Sequence, residues 1–315
     1  MNINKDIKIR KIKPKPVFLV DKVIAEAGDI IARRNDYYDR DGIVLYVNRD
    51  GQEHYNPLLI ARYALRLLVA WKETLNMDYK KALDNYIYHL LYDPKIVELD
   101  KLYPYYPYRF DFHLHNNPDW TMKAPWYSAL AQGRILSLLC EVEKAIREFS
   151  DEPPPVPGSN ENQVKFDCRG KAGQHHPAIE KLFTGLALEQ SILSKTDDKG
   201  FWWLDEYPHP YIFDMTLNGH ITALAGIYDY WCLTNSRKAK QYLQAGITTV
   251  FHYANRFRNP GGPSYYCLAH KVLCDKADFK YHRIHIDQFD WLFDITGYPF
   301  FKAFAEKLRK DVKLN

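Results

Sequence analysis

The chain has 315 residues, 46% hydrophobic and 26% charged, with a mean hydropathy of -0.45, a globular composition that excludes a wholly disordered or fibrous protein. No uninterrupted apolar run approaches the roughly 20 residues of a membrane-spanning helix. The formal charge is +4, but residues 1–15 alone carry +5 (Lys5, Lys8, Arg10, Lys11, Lys13 and Lys15 against Asp6) and the rest sums to -1, so the body lacks the general positive field a nucleic-acid partner would require.

Residues 1–16 read as a basic, flexible, solvated tail. Pro14-Lys15-Pro16 leaves only Val17 to Val20 apolar, so no secretory core forms, and a cytoplasmic protein is expected. Residues 17–56 read as a β or irregular segment packing on a helical domain, with Ile43 to Val47 its best strand. From residue 57 to 315 helical periodicity dominates and predicts a mainly α domain. Asn56-Pro57 offers a helix cap with proline at the first helical position, and the stretch to Leu75 sets Arg62, Arg66 and Glu73 on one stripe against a broad apolar face. Further helices are predicted over 78–92, 127–149, 177–194, 216–233, 237–257, 285–296 and 299–311, with a second strand over 265–273 and an extended Pro-rich loop over 151–165.

The joints near Asn76, Asn235 and Gly297 are short, so the helices they join pack antiparallel and alternate in direction. The segments at 37–56, 100–126, 200–215 and 258–284 are long and rich in Tyr, Trp, His and charge. Alternation places these four at one end, where long loops on a rigid scaffold gather function. Helical hairpins around such a face suggest an incomplete (α/α) toroid, with a four-helix bundle plus additions as the alternative.

Aromatic residues make up 15% of the chain, and tyrosine is the commonest. Rings bearing hydroxyls suit the faces and edges of sugars, although an aromatic core accounts for the same composition. The carboxylates in Trp202-Trp203-Leu204-Asp205-Glu206-Tyr207-Pro208 could exchange a proton beside a tyrosine. Tyr281-His282-Arg283-Ile284-His285, with Tyr266 and His270 upstream, mixes phenols, imidazoles and a cation as a site for a carboxylated sugar would; a buried hydrogen-bond network is the alternative. His113-Leu114-His115 and His282 to Asp287 hold metal-ligand types without zinc spacing, so no metal site is expected. The five cysteines, at 140, 168, 232, 267 and 274, form no CxxC pair and read as reduced thiols. No glycine-rich phosphate loop, nucleophile elbow or dinucleotide fingerprint occurs, and no cofactor is expected.

Lys123-Ala124-Pro125-Trp126-Tyr127-Ser128-Ala129-Leu130-Ala131-Gln132-Gly133, Glu206-Tyr207-Pro208, Leu217-Asn218-Gly219 and Tyr281-His282 through Gln288 together resemble, in order, four elements of the heparan sulfate D-glucuronyl C5-epimerases. The likeness covers about 120–300 and is fainter at Tyr37 to Val44 and Tyr55 to Leu65. Roughly 60 mostly helical residues stand where the animal enzymes insert a β-domain. Ala269 stands where the family has arginine, and Asp287 where it has asparagine.

The resemblance implies an (α/α) catalytic domain that converts D-glucuronate to L-iduronate within a glycosaminoglycan-like polymer. It assigns the two-sided proton transfer to Tyr281 and to Glu206 or Tyr207, with Tyr266 assisting. The substrate contacts implied are Tyr55, Tyr127, Gln132, Asn218, His270 and His282. Residue chemistry adds Lys123, Arg283 and His285 for the carboxylate, and Trp126 and Trp202 for stacking. An acidic polysaccharide partner and a homodimer are expected. A uronan lyase, a glycoside hydrolase and a non-catalytic glycan-binding protein remain the rival readings.

Overall fold

A computed structural model describes residues 1–12, 37–98, 102–149, 177–188, 191–269 and 279–312. Among them lie eight α-helices: α1 (Pro57–Thr74), α2 (Met77–Tyr92), α3 (Ala129–Phe149), α4 (Pro177–Leu186), α5 (Leu217–Thr234), α6 (Arg237–Phe257), α7 (Phe279–Thr296) and α8 (Pro299–Asp311). The Pro-rich loop at 151–165, the first half of the 17–56 segment, and His270 lie outside the described residues.

Local chemistry sets the helix ends. The Asn56 side chain accepts from the Leu59 N–H at 3.0 Å and Pro57 starts α1, while Leu75 closes it in the left-handed region at φ 56°. Asn76 then caps α2, so the turn is tight and the pair folds back on itself. Asn235 and Ser236 repeat this device between α5 and α6.

Helices α1, α3, α5 and α7 pack side by side in sequence order; α2 lies on α1, α4 on α3, α6 on α5 and α8 on α7. Helix α5 is buried on every side through most of its length, as its nearly continuous apolar sequence requires. It crosses α3 so closely that a Cβ on Gly226 would fall 2.1 Å from the Gly133 carbonyl oxygen. Only glycine permits that approach.

Among the described residues there are also three small antiparallel sheets. β1 (Tyr37–Tyr38), β2 (Val44–Val47) and β3 (Glu53–His54) form one, with Tyr37 opposite Leu45 and Tyr46 opposite His54. β4 (Phe112–His113) pairs with β5 (Thr121–Met122), and β6 (Ser194–Thr196) with β7 (Trp202–Leu204).

Four expectations need correction. The predicted strand over 265–273 is, in its described part, only an isolated bridge between Cys267 and Thr216. Helix α4 ends at Leu186, ahead of β6, and α7 begins six residues earlier than its apolar period indicates. Residues 1–12 are no solvated tail: Ile7 and Ile9 are buried. The backbone N–H groups of Asn4, Arg10 and Ile12 donate to Thr248, Ile295 and Tyr228. The isoleucines alternate with the charges, so one edge packs while the basic side chains stay outside.

Candidate active site

The first two turns of α1, α3, α5 and α7 open onto one cleft of about 620 Å³. This is the common end that helix alternation predicts. Arg62, Arg134, Lys280 and Arg283 line it, against the carboxylates of Glu206 and Asp287. Each helix start adds partial positive charge from its unpaired N–H groups, so four helix ends and four cations favour an anionic occupant.

Glu206 follows β7 and is buried against the start of α5. A Cβ at Gly219 would lie 2.3 Å from Glu206 Oε2, so the carboxylate fits only because that position is glycine. Tyr266 donates from its hydroxyl to Glu206 Oε1 at 3.1 Å, and the Tyr207 and Tyr266 hydroxyls are 3.2 Å apart. Glu206 Oε2 has no hydrogen-bond partner among the described residues. Burial pushes the Glu206 carboxyl up to about 8, the two tyrosine hydroxyls only partly opposing it. Burial and then the charge of Glu206 hold Tyr207 and Tyr266 well above the ordinary phenol range.

The Tyr281 ring meets the Tyr266 ring edge-on with centroids 4.5 Å apart. Both Tyr281 and Glu206 line the cleft. A chain of phenols therefore runs from Tyr207 through Tyr266 to Tyr281, with the carboxyl of Glu206 at its centre. Behind Glu206, Asp205 is buried within 3.3 Å of Lys195 and its carboxyl is pushed up to about 7, burial outweighing the lysine.

Of the sequence-predicted substrate contacts, Asn218 and Arg283 line this cleft. The others among the described residues stand elsewhere. Lys123 is exposed and paired with Asp111 at 2.6 Å. Trp126 stacks on Tyr108 at 4.0 Å, its indole N–H donating to the Phe110 carbonyl, and reaches Tyr207 only at its edge, 6.2 Å between centroids. Tyr127 donates to Glu98, and Gln132 to the Pro104 carbonyl.

Trp202 is fully buried against Tyr242, so it offers no face to a sugar. His282 and His285 are also fully buried: His282 accepts from the Ser264 N–H and bonds the Leu308 carbonyl, while His285 Nδ1 meets the Ser264 hydroxyl at 2.7 Å. Burial holds the His285 imidazole down at about 3, so it offers no positive charge to a carboxylate. Tyr55 donates to Asp39 beside a separate hollow of about 330 Å³ that Lys95 and Arg109 also line.

Arg62, Arg134 and Thr222 are cleft residues that sequence reasoning did not assign to a site. Their common signal is a polar side chain in the first two turns of a helix otherwise committed to the core, on the end that alternation selects.

With this geometry in place, the match to known proteins falls on the part of the chain that holds the carboxyl and the phenols. Residues 182–310 match the family model described as D-glucuronyl C5-epimerase C-terminus. This part of the chain is similar to the C-terminal domain of the D-glucuronyl C5-epimerases.

Proposed function

We propose that this chain inverts C5 of D-glucuronate residues within an acidic polysaccharide, giving L-iduronate by proton removal on one ring face and proton return on the other, with no redox chemistry. The observation that carries the reading is the meeting of Glu206, Tyr266 and Tyr281 in a cation-lined cleft. The C5 proton is adjacent to a carboxylate, so its removal creates a dianion, which needs donors and positive charge aimed at the carboxylate. Arg62, Arg134 and Arg283 and the four helix starts supply these. Glu206, raised towards neutrality, and Tyr281 are the two acid/base groups. Tyr266 touches both, donating to Glu206 and lying edge-on against the Tyr281 ring. The helical hairpins fit an incomplete (α/α) toroid around this cleft.

The test is isotope exchange on a uronate polymer in heavy water. The wild type places deuterium at C5 in intact chains, whereas a lyase produces shortened chains with ultraviolet-absorbing unsaturated ends. Tyr281→Phe keeps the ring contact and lowers exchange by about 100- to 10,000-fold. Exchange at the wild-type rate in that variant removes Tyr281 from the mechanism, and chain shortening without C5 exchange removes the epimerase reading. A homodimer belongs to the same proposal; a monomer mass by light scattering at micromolar concentration rejects it.

A further inference from the structure

Beyond the cleft, behind Tyr266, three donor side chains from distant parts of the chain converge. His115 lies in the short 3-10 turn after β4, Asp214 in the segment leading to α5, and Cys267 next to Tyr266. Their donor atoms all fall within 4.8 Å of one another. His115 Nε2 is 3.2 Å from Asp214 Oδ1 and 3.7 Å from Cys267 Sγ. An ion bound tetrahedrally at about 2.0 Å from nitrogen and oxygen and about 2.3 Å from sulfur separates those donors by roughly 3.3 and 3.6 Å. The observed spacings already have that size.

We propose that His115, Asp214 and Cys267 form a binding site for one divalent cation of the zinc type, with a water completing four-coordination. A neutral imidazole, a thiolate and a carboxylate suit a borderline ion and not magnesium or calcium, which take oxygen donors. On binding, the Cys267 thiol releases its proton to solvent and the imidazole stays neutral. The ion's two charges are then balanced by Asp214 and the thiolate, so the buried site is neutral and its desolvation cost small.

The surroundings hold the donors in place. Thr216 donates to Asp214 Oδ2 at 2.5 Å, which leaves Oδ1 turned to His115. Thr216 pairs with Cys267 across the isolated bridge, and the Asp214 carbonyl accepts from the N–H groups of Leu268 and Ala269. Asp214 and Cys267 are thereby fixed to each other, and His115 is presented at φ 56°, a conformation side-chain residues rarely adopt. The ion would tie together the β4–β5 region, the approach to α5 and the segment carrying Tyr266. Residue spacing hides such a site, because the donors are 99 and 53 residues apart along the chain.

Chelator-treated wild-type protein titrated with cobalt(II) tests this independently of any activity. The expected result is saturation at about one equivalent, with a thiolate-to-cobalt charge-transfer band and tetrahedral d–d absorption, both displaced by zinc. Cys267→Ser abolishes the charge-transfer band, Cys232→Ser retains it, and Thr216→Val weakens zinc binding by about 10- to 100-fold. The proposal is overturned if the wild type gives no stoichiometric band, or if Cys267→Ser keeps it; the first outcome needs no variant to fold. In either case the three side chains are a hydrogen-bonded cluster only.

Discussion

The segments Lys123 to Gln132 and Glu206 to Asn218 both carry family-like residues, yet their side chains end in opposite situations. In the first, the polar tips are engaged within the protein: Lys123 with Asp111, the Trp126 indole with Phe110, Tyr127 with Glu98, Gln132 with Pro104. In the second, Glu206 and Asn218 line the cleft, and Glu206 Oε2 and Asn218 Oδ1 are buried without partners among the described residues. Unmet polar atoms at a cleft wall are held at a cost of roughly 1–3 kcal/mol each, which makes the second segment the candidate for the proposed chemistry. The first shapes the aromatic floor on which Tyr207 rests.

The largest effect that could break this contrast is Glu206→Gln. The amide keeps the buried shape but cannot cycle a proton, so C5 exchange should fall by about 100- to 10,000-fold, roughly 3–5 kcal/mol of barrier, while the melting temperature holds or rises. A variant that loses stability and keeps its turnover would reverse the assignment of the two segments.

Trp126→Ala should do the opposite. It empties the stack with Tyr108 and the contacts to Phe110 and Phe112, at a cost of about 3–5 kcal/mol in denaturant unfolding. Turnover per folded molecule should fall far less than in Glu206→Gln. Equal losses in both variants would mean that Trp126 touches substrate.

A smaller, graded effect sharpens the comparison through pH. Burial raises the folded-state carboxyls of Asp205 to about 7 and Glu206 to about 8. Between the ordinary carboxylate range near 4 and about 8 these two groups hold protons in the folded protein that they have released in the unfolded chain, so their contribution to stability falls as pH rises through that window and levels above it, while the buried His220 and His285, held down to about 4 and about 3, contribute in the opposite direction below about 6.5. Glu206→Gln should flatten part of this slope, read as melting temperature against pH. Exchange that uses the Glu206 carboxylate as base should climb through about 8. A slope that Glu206→Gln leaves unchanged would show that Glu206 is ionised throughout.

Much of this layout is legible in the residues. Asn56-Pro57 and the Asn235-Ser236 joint carry their capping chemistry in the side chains themselves, and the apolar period of α1, α3 and α6 survives in their buried faces. The start of α7 is hidden, since Phe279 to Ile284 alternates aromatic and charged residues at a cleft wall, where half the face is wet. The strand expected at 265–273 rests on Tyr265, Tyr266 and Cys267, which look β-forming, whereas Tyr266 is set by its bond to Glu206.

Histidine and tryptophan are the least readable. Nothing in Tyr281-His282-Arg283-Ile284-His285 says which side chains face water; the pitch of α7 turns Tyr281, Arg283 and Ile284 to the cleft and His282 and His285 to Ser264. Local periodicity and capping are short-range properties, so the helices, their order and the end at which their starts gather can be derived residue by residue. Which carboxyl is desolvated, which imidazole is buried neutral, and that His115, Asp214 and Cys267 meet at all depend on packing between segments far apart in the chain. Burial is what moves a proton affinity, and burial is settled only when the helices close on one another.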